Sequence, residues 1–150
     1  MTDASQAPSR TASHDAPHRV RVTADPDWYA PAGIALGIRV GNLVLTSGQG
    51  PIDPHGGTVG VGDFEAQARQ ALANLALVLK NAGSGLDQVV KATVFVTDIA
   101  RDQEAFARVR AEHFAPHSIA ESFVEVSALA DPDWLIEIEA IAVAEGAVTA

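Results

Sequence analysis

Cysteine is absent from the 150-residue chain. That omission removes thiolate nucleophiles, disulfide staples and cysteine-ligated zinc together. Basic residues are scarce: ten Lys and Arg stand against nineteen Asp and Glu, for a formal charge of −9. Affinity for a nucleic-acid backbone comes mainly from Lys and Arg displacing counterions, so this balance argues against a nucleic-acid partner. The densest basic cluster, "RVR" at 108–110, has helical spacing and reads as a solvated face. No apolar run reaches membrane length, and the opening "MTDASQAPSRTASHDAPHRV" has no apolar signal core. A cytoplasmic protein without membrane contact is the expectation.

Hydrophobic residues make up 47% of the chain and charged residues 19%, which suits one globular domain with a proper core. The first 17 residues, rich in Ala, Ser, Pro and Thr, bury too little surface to offset their ordering entropy. They read as a disordered arm ahead of a single domain over 18–150. "HRVRVTA" alternates as a strand and ends at "DPDW". Gly41-Asn42 between Ile38/Val40 and Leu43/Leu45 predicts a hairpin. Asp63 reads as an N-cap for a helix carrying Phe64, Ala68, Ala71, Leu72, Leu75 and Leu79 on one face, stopped by Gly83. "VVKATVFVT" is a buried strand, and Asp102 is expected to start a second helix with Phe106, Val109 and His113 on one side.

The stretch "HSIAESFVEVSALADPDWLIEIEAIAV", 117–143, reads as two strands at a sheet edge joined by an acidic turn. It carries Glu121, Glu125, Glu137 and Glu139, with His117 as its one candidate cation. The order is therefore β-β-β-α-β-α-β-β, an α+β fold of one sheet and two helices. In "LIEIEAIAV" apolar residues occupy both faces, Ile136, Ile138, Ala140 and Ala142 on one, Leu135, Ile141 and Val143 on the other. A small two-faced sheet of this kind oligomerises to bury the side its helices leave open.

Four strings in this order resemble the RidA/YjgF family of small proteins: "IRVGNLVLTSGQGPIDP" (38–54), "DFEAQARQALANLALVLKNAGSGLDQVVKATVFVTDI" (63–99), "FVEVSAL" (123–129) and "IEIEAIAV" (136–143). The resemblance spans about residues 31 to 144. It implies a chorismate-mutase-like fold, one mixed sheet with two helices on one face, and a homotrimer with a central barrel and ligand clefts between subunits. It also implies a small-molecule ligand, since well-known members hydrolyse enamines and imines to 2-oxo acids and ammonia without metal or organic cofactor.

The resemblance carries over residue by residue only in part. Glu121, in "IAES", stands where deaminating members have an Arg that grips the substrate carboxylate by a bidentate pair. Ile34, in "IALG", stands at the family's Tyr; Ala107 at a frequent Asn; and Phe123 at a residue often Cys. Ser47 and the amide of Gly48, in "TSGQ", match, as does Glu137, the family's water-positioning Glu. The Arg-to-Glu exchange inverts a charge, so a carboxylate-bearing substrate would meet repulsion. If Glu121 and Glu137 met across a cleft, one would hold its proton near neutral pH, and the pair could serve as acid and base. Ser47 and Gly48 would then donate hydrogen bonds, while Phe123, Ile34 and Ala107 would line an apolar pocket for a neutral or cationic nitrogen compound.

An equally weighted reading leaves Glu121 in solvent, or paired with Arg110 or Arg39, in a cleft that binds a ligand without catalysis. The acidic charge weighs against the ribonuclease label that also attaches to the family. His113 and His117 lie four apart, but Pro116 falls between them and no third ligand is evident, so neither a metal nor a cofactor is expected. "TSGQ" lacks the G-x-S-x-G elbow, which argues against Ser47 as a nucleophile.

Overall fold

The structure is a computed structural model that describes residues 18–114 and 118–146. The expected N-terminal arm and His117 lie outside the described residues.

The chain forms strands β1 (Arg19–Val22), β2 (Gly37–Val40) and β3 (Leu43–Thr46), helix α1 (Phe64–Asn81), strand β4 (Val89–Val96), helix α2 (Ile99–Phe114), and strands β5 (Ala120–Glu125) and β6 (Ile136–Val143). Short 3-10 turns cover Ala30–Ala32 and Leu86–Gln88. The order matches the one read from the sequence. The six strands make one mixed sheet, ordered β1-β2-β3-β6-β4-β5, in which β4 and β5 run parallel and the other pairs antiparallel. The acidic C-terminal segment is thus split: β5 is an edge, but β6 lies in the middle between β3 and β4.

Local chemistry explains the boundaries. Val40 pairs with Leu43 across a two-residue turn whose first residue, Gly41, has φ 61°, a conformation that glycine takes without strain. Asp63 caps α1 by accepting from the Ala66 amide at 3.0 Å, and Gly83, at φ 76°, ends it. The second helix begins earlier than expected, at Ile99, because Asp98 accepts from the Arg101 amide at 2.9 Å. Asp102 sits inside the helix instead, 2% exposed and held by the Arg101 guanidinium.

Both helices cover the same sheet face. Leu72, Leu75, Val78 and Leu79 of α1 and Phe106 and Val109 of α2 share one buried cluster with Val44, Ala92, Val94, Val96, Ile136 and Ile138. Each fully buried aliphatic side chain of this kind stabilises the fold by about 1.5–3 kcal/mol relative to exposure. The opposite face is open. There Leu43, Leu45 and Ile141 remain 44%, 44% and 37% exposed, and Glu137 and Glu139 lie among them by strand alternation.

Candidate functional site

Ser47, Gly48 and Gln49 follow β3, and Gln49 makes a two-way backbone bridge with Ile138: its amide donates to Ile138 O at 2.7 Å and its carbonyl accepts from Ile138 N at 3.1 Å. That bridge brings Gly48 beside the neighbour of Ile138, Glu137. The approach is so close that a Cβ on Gly48 would stand 1.8 Å from Glu137 Oε1 and 2.5 Å from its Cδ. Only glycine leaves room for the carboxyl there. Glu137 makes no ion pair or side-chain hydrogen bond among the described residues, and burial, with the nearby Glu139 charge adding to it, raises its pKa above the ordinary 4.5.

The Gly48 amide donates to no acceptor among the described residues, so it is available to a ligand. Ser47 is not equivalent to it. Its hydroxyl donates to Ala35 O at 2.7 Å, so the oxygen faces any ligand as an acceptor, and donation would require breaking that bond.

Tyr29 completes this group, and sequence reading missed it. It lies in the loop before the first 3-10 turn, and its hydroxyl donates to Gly48 O at 2.7 Å. Its pKa is pushed up to about 12, chiefly by burial; a Gly50 backbone hydrogen bond opposes this and the Glu137 charge adds to it. The phenol therefore stays protonated at any ordinary pH. The matching signal in the sequence was composition: this is the chain's one tyrosine. Ile34, 48% exposed, lies near the same loop, and its carbonyl accepts from Arg21 at 3.1 Å.

The remaining candidates gather elsewhere. Phe123 stacks on Phe106 with ring centroids 5.1 Å apart, on the face that the helices cover. Glu121 shares that face and pairs with Arg110, Nε to Oε2 at 2.7 Å. Ala107, exposed on α2, is next to Phe106 in the chain. Within one chain Glu121 and Glu137 therefore do not share a site. Glu137 pairs in register with Phe95 and Glu121 with Ala92, positions of opposite parity on β4, which puts the two carboxylates on opposite sides of the sheet. Arg39 serves a different end: it donates to Ala82 O at 3.0 Å at the close of α1 and to Gly41 O at 2.9 Å.

One further charged cluster is structural. Glu65, Arg69, Arg108 and Glu112 tie α1 to α2 on the exposed helical layer. Among the described residues no three His, Asp or Glu side chains are grouped to hold a metal ion, and no helix is long and apolar enough to cross a membrane. Trp134 packs its ring against Gly50, where a Cβ would fall 2.4 Å away, and donates to Thr58 Oγ1 at 3.1 Å.

Comparison with known proteins agrees with this geometry. Residues 30–144 match the family model described as Endoribonuclease L-PSP. A 2-iminobutanoate/2-iminopropanoate deaminase of Salmonella typhimurium is 44% identical over 123 residues, covering 76% of this chain and 91% of the relative. A RutC family protein of Pyrococcus horikoshii is 44% identical over 108 residues, covering 72% and 84%. The crystal structure of a Mycobacterium tuberculosis protein, titled a member of the YjgF/YER057c/UK114 family, superposes with a TM-score of 0.72 at 33% identity, covering 84% of this chain and 99% of that one. The sheet order, the Gly48–Glu137 contact and these matches together make the chain a member of the RidA/YjgF family, described also as Endoribonuclease L-PSP.

Proposed function

We propose that this protein hydrolyses an imine or enamine, with Glu137 as acid and base and the Gly48 amide orienting the substrate. The observation that carries this reading is the Glu137 carboxyl: half-buried, unpartnered among the described residues, raised in pKa, and seated against a glycine that makes room for it. A carboxyl so placed takes a proton from water and returns it to a departing nitrogen near neutral pH. Relatives named for 2-iminobutanoate and 2-iminopropanoate deamination support the reaction class.

Specificity is proposed to differ from those relatives. The position that would grip a substrate carboxylate holds Glu121, and Arg110 neutralises it rather than leaving a free positive fork. A wall that this pair would form with Phe123 and Ala107, set against Ile34 and Glu137 of a second copy, suits a nitrogen compound that lacks an essential carboxylate. Because Glu121 and Glu137 lie on opposite sheet faces, they would meet only if Glu121 came from a second copy. The open face with Leu43, Leu45 and Ile141 supports such assembly, as a homotrimer with clefts between subunits.

The test supplies two imines generated in situ by an oxidase, one from a neutral amine and one from an amino acid, and follows ammonia release. The expected result is faster turnover of the neutral imine, abolished by Glu137→Gln. Equal or faster turnover of the carboxylate-bearing imine refutes the specificity. Absence of turnover with either imine would leave a ligand-binding module without catalysis.

A further inference from the structure

The buried face of α1 is made of Phe, Ala, Leu and Val, with two exceptions, Gln67 and Asn74. They are 0% and 6% exposed, and a buried amide costs stability that an apolar side chain of the same size does not. Their hydrogen bonds show what they hold. Asn74 Nδ2 donates to Gly50 O at 3.0 Å and to Ile52 O at 2.8 Å. Gln70, one turn earlier, fixes that orientation by donating to Asn74 Oδ1 at 3.0 Å. Gln67 Oε1 accepts from the Leu135 amide at 2.7 Å, and its Nε2 donates to Asp133 O at 2.7 Å and to Gly60 O at 3.2 Å.

The two segments gripped in this way are those that carry the site. Gly50 follows Gly48 by two residues, and Leu135 precedes Glu137 by two. Between the grips the segments touch directly. Trp134 packs against Gly50, the Gln49–Ile138 bridge joins the backbones, and Gly48 meets the Glu137 carboxyl.

We propose that Gln67 and Asn74 are positioning residues, which from α1 clamp the Gly50 and Leu135 segments together and so set the Gly48–Glu137 contact. Where it concerns turnover, this rests on the imine hydrolysis proposed above. Neither side chain touches the substrate or moves a proton. An apolar residue would fill the same volume but hold neither segment, because Gly50 O, Ile52 O and the Leu135 amide would have to shift to find new partners.

Gln67→Met and Asn74→Leu keep the size and remove the bonds. In the intact protein each should lower kcat by about 10- to 100-fold with KM little changed, as for a reacting group held out of place. The Glu137 carboxyl, followed without substrate by its 13C resonance, should titrate lower, nearer its ordinary 4.5. A loosened contact admits water and relieves its burial. Neither substitution alters the Glu139 charge that also acts on it. The titration keeps the two proposals apart: if wild type turns over no imine, the hydrolase reading falls, and the titration still decides the clamp.

Amides that only hold the fold would lower the unfolding midpoint and leave kcat per folded molecule and the Glu137 titration at wild-type values. That outcome overturns the inference. So does a Glu137 titration that is unchanged or rises, or a kcat within twofold of an active wild type. Should both variants fold poorly, Gln70→Ala tests the same point from the half-buried member of the network. It frees the Asn74 amide to turn, so kcat should fall about 3-fold and the Glu137 titration should also fall. Failure of either to fall overturns the inference.

Discussion

Replacing Gly48 by alanine is the sharpest perturbation the site offers, because it adds one methyl group at a place where the backbone itself is unstrained. Gly48 is not among the glycines with left-handed φ, so alanine can adopt its conformation. The cost comes from contact alone. The new Cβ would lie 1.8 Å from Glu137 Oε1, 2.5 Å from Cδ and 2.8 Å from Cγ, whereas non-bonded heavy atoms prefer roughly 3.5 Å. The carboxylate must retreat by well over ~1 Å, which requires a new χ rotamer. Overpacking of this kind costs about 1–3 kcal/mol. For a domain of this size that is a loss of very roughly 3–10 °C in Tm. Glu137→Ala removes the group that is struck, so Gly48→Ala in that background should cost much less. The assay is a double-mutant cycle by urea denaturation, with an expected coupling of about 1–3 kcal/mol in the sense that the second change relieves the first. Imine turnover should be lost in Gly48→Ala even where the protein is folded, since the carboxyl has left its place. Additive stability changes, or a Gly48→Ala variant as stable and active as wild type, would refute the claim that Gly48 exists to admit Glu137.

The pH dependence of stability gives a second check. Glu137 has a folded-state pKa above its ordinary 4.5, so folding favours its protonated form, and that contribution is fully present below about pH 4.5 and lost as pH rises through the folded value. Glu137→Gln should therefore melt above wild type at pH 7–8, with the difference closing toward pH 4, as read by thermal scans across that range; a difference that widens on acidification reverses the sign and contradicts the burial argument. Assembly is tested on the open face: Leu45→Glu places a charge on a surface whose Leu43, Leu45 and Ile141 are exposed in the single chain. Sedimentation should show the wild type as an oligomer and the variant shifted toward monomer; a monomeric wild type would remove the proposed intersubunit cleft.

How much of this arrangement the sequence revealed turns on the range of the interactions involved. The hairpin at Gly41, the Asp63 cap and the Gly83 stop are local, and each was legible because a turn or a helix end is decided by the few residues that form it. The start of α2 was read three residues late for the same local reason: Asp98 and Asp102 are both acceptable caps by type, and only Asp98 has the Arg101 amide to accept. Strand alternation is enough to put Glu121 with Phe123 and Glu137 with Glu139. It could not place one pair relative to the other. That depends on which β4 residue each strand meets, Ala92 for Glu121 and Phe95 for Glu137, and register is fixed by long-range packing rather than by either strand's own pattern. A slip of one residue in either pairing would have brought the two carboxylates to the same face. The buried cluster forbids it, because a slip of β5 would turn Phe123 away from the core and a slip of β6 would turn Ile136 and Ile138 out of it. Tyr29 was hidden for a related reason: it approaches Gly48 from a loop 19 residues upstream, and no periodicity links the two. The site is thus read best where β6 and the segment after β3 are bridged by backbone, and least where it depends on side chains brought in from unpaired loops.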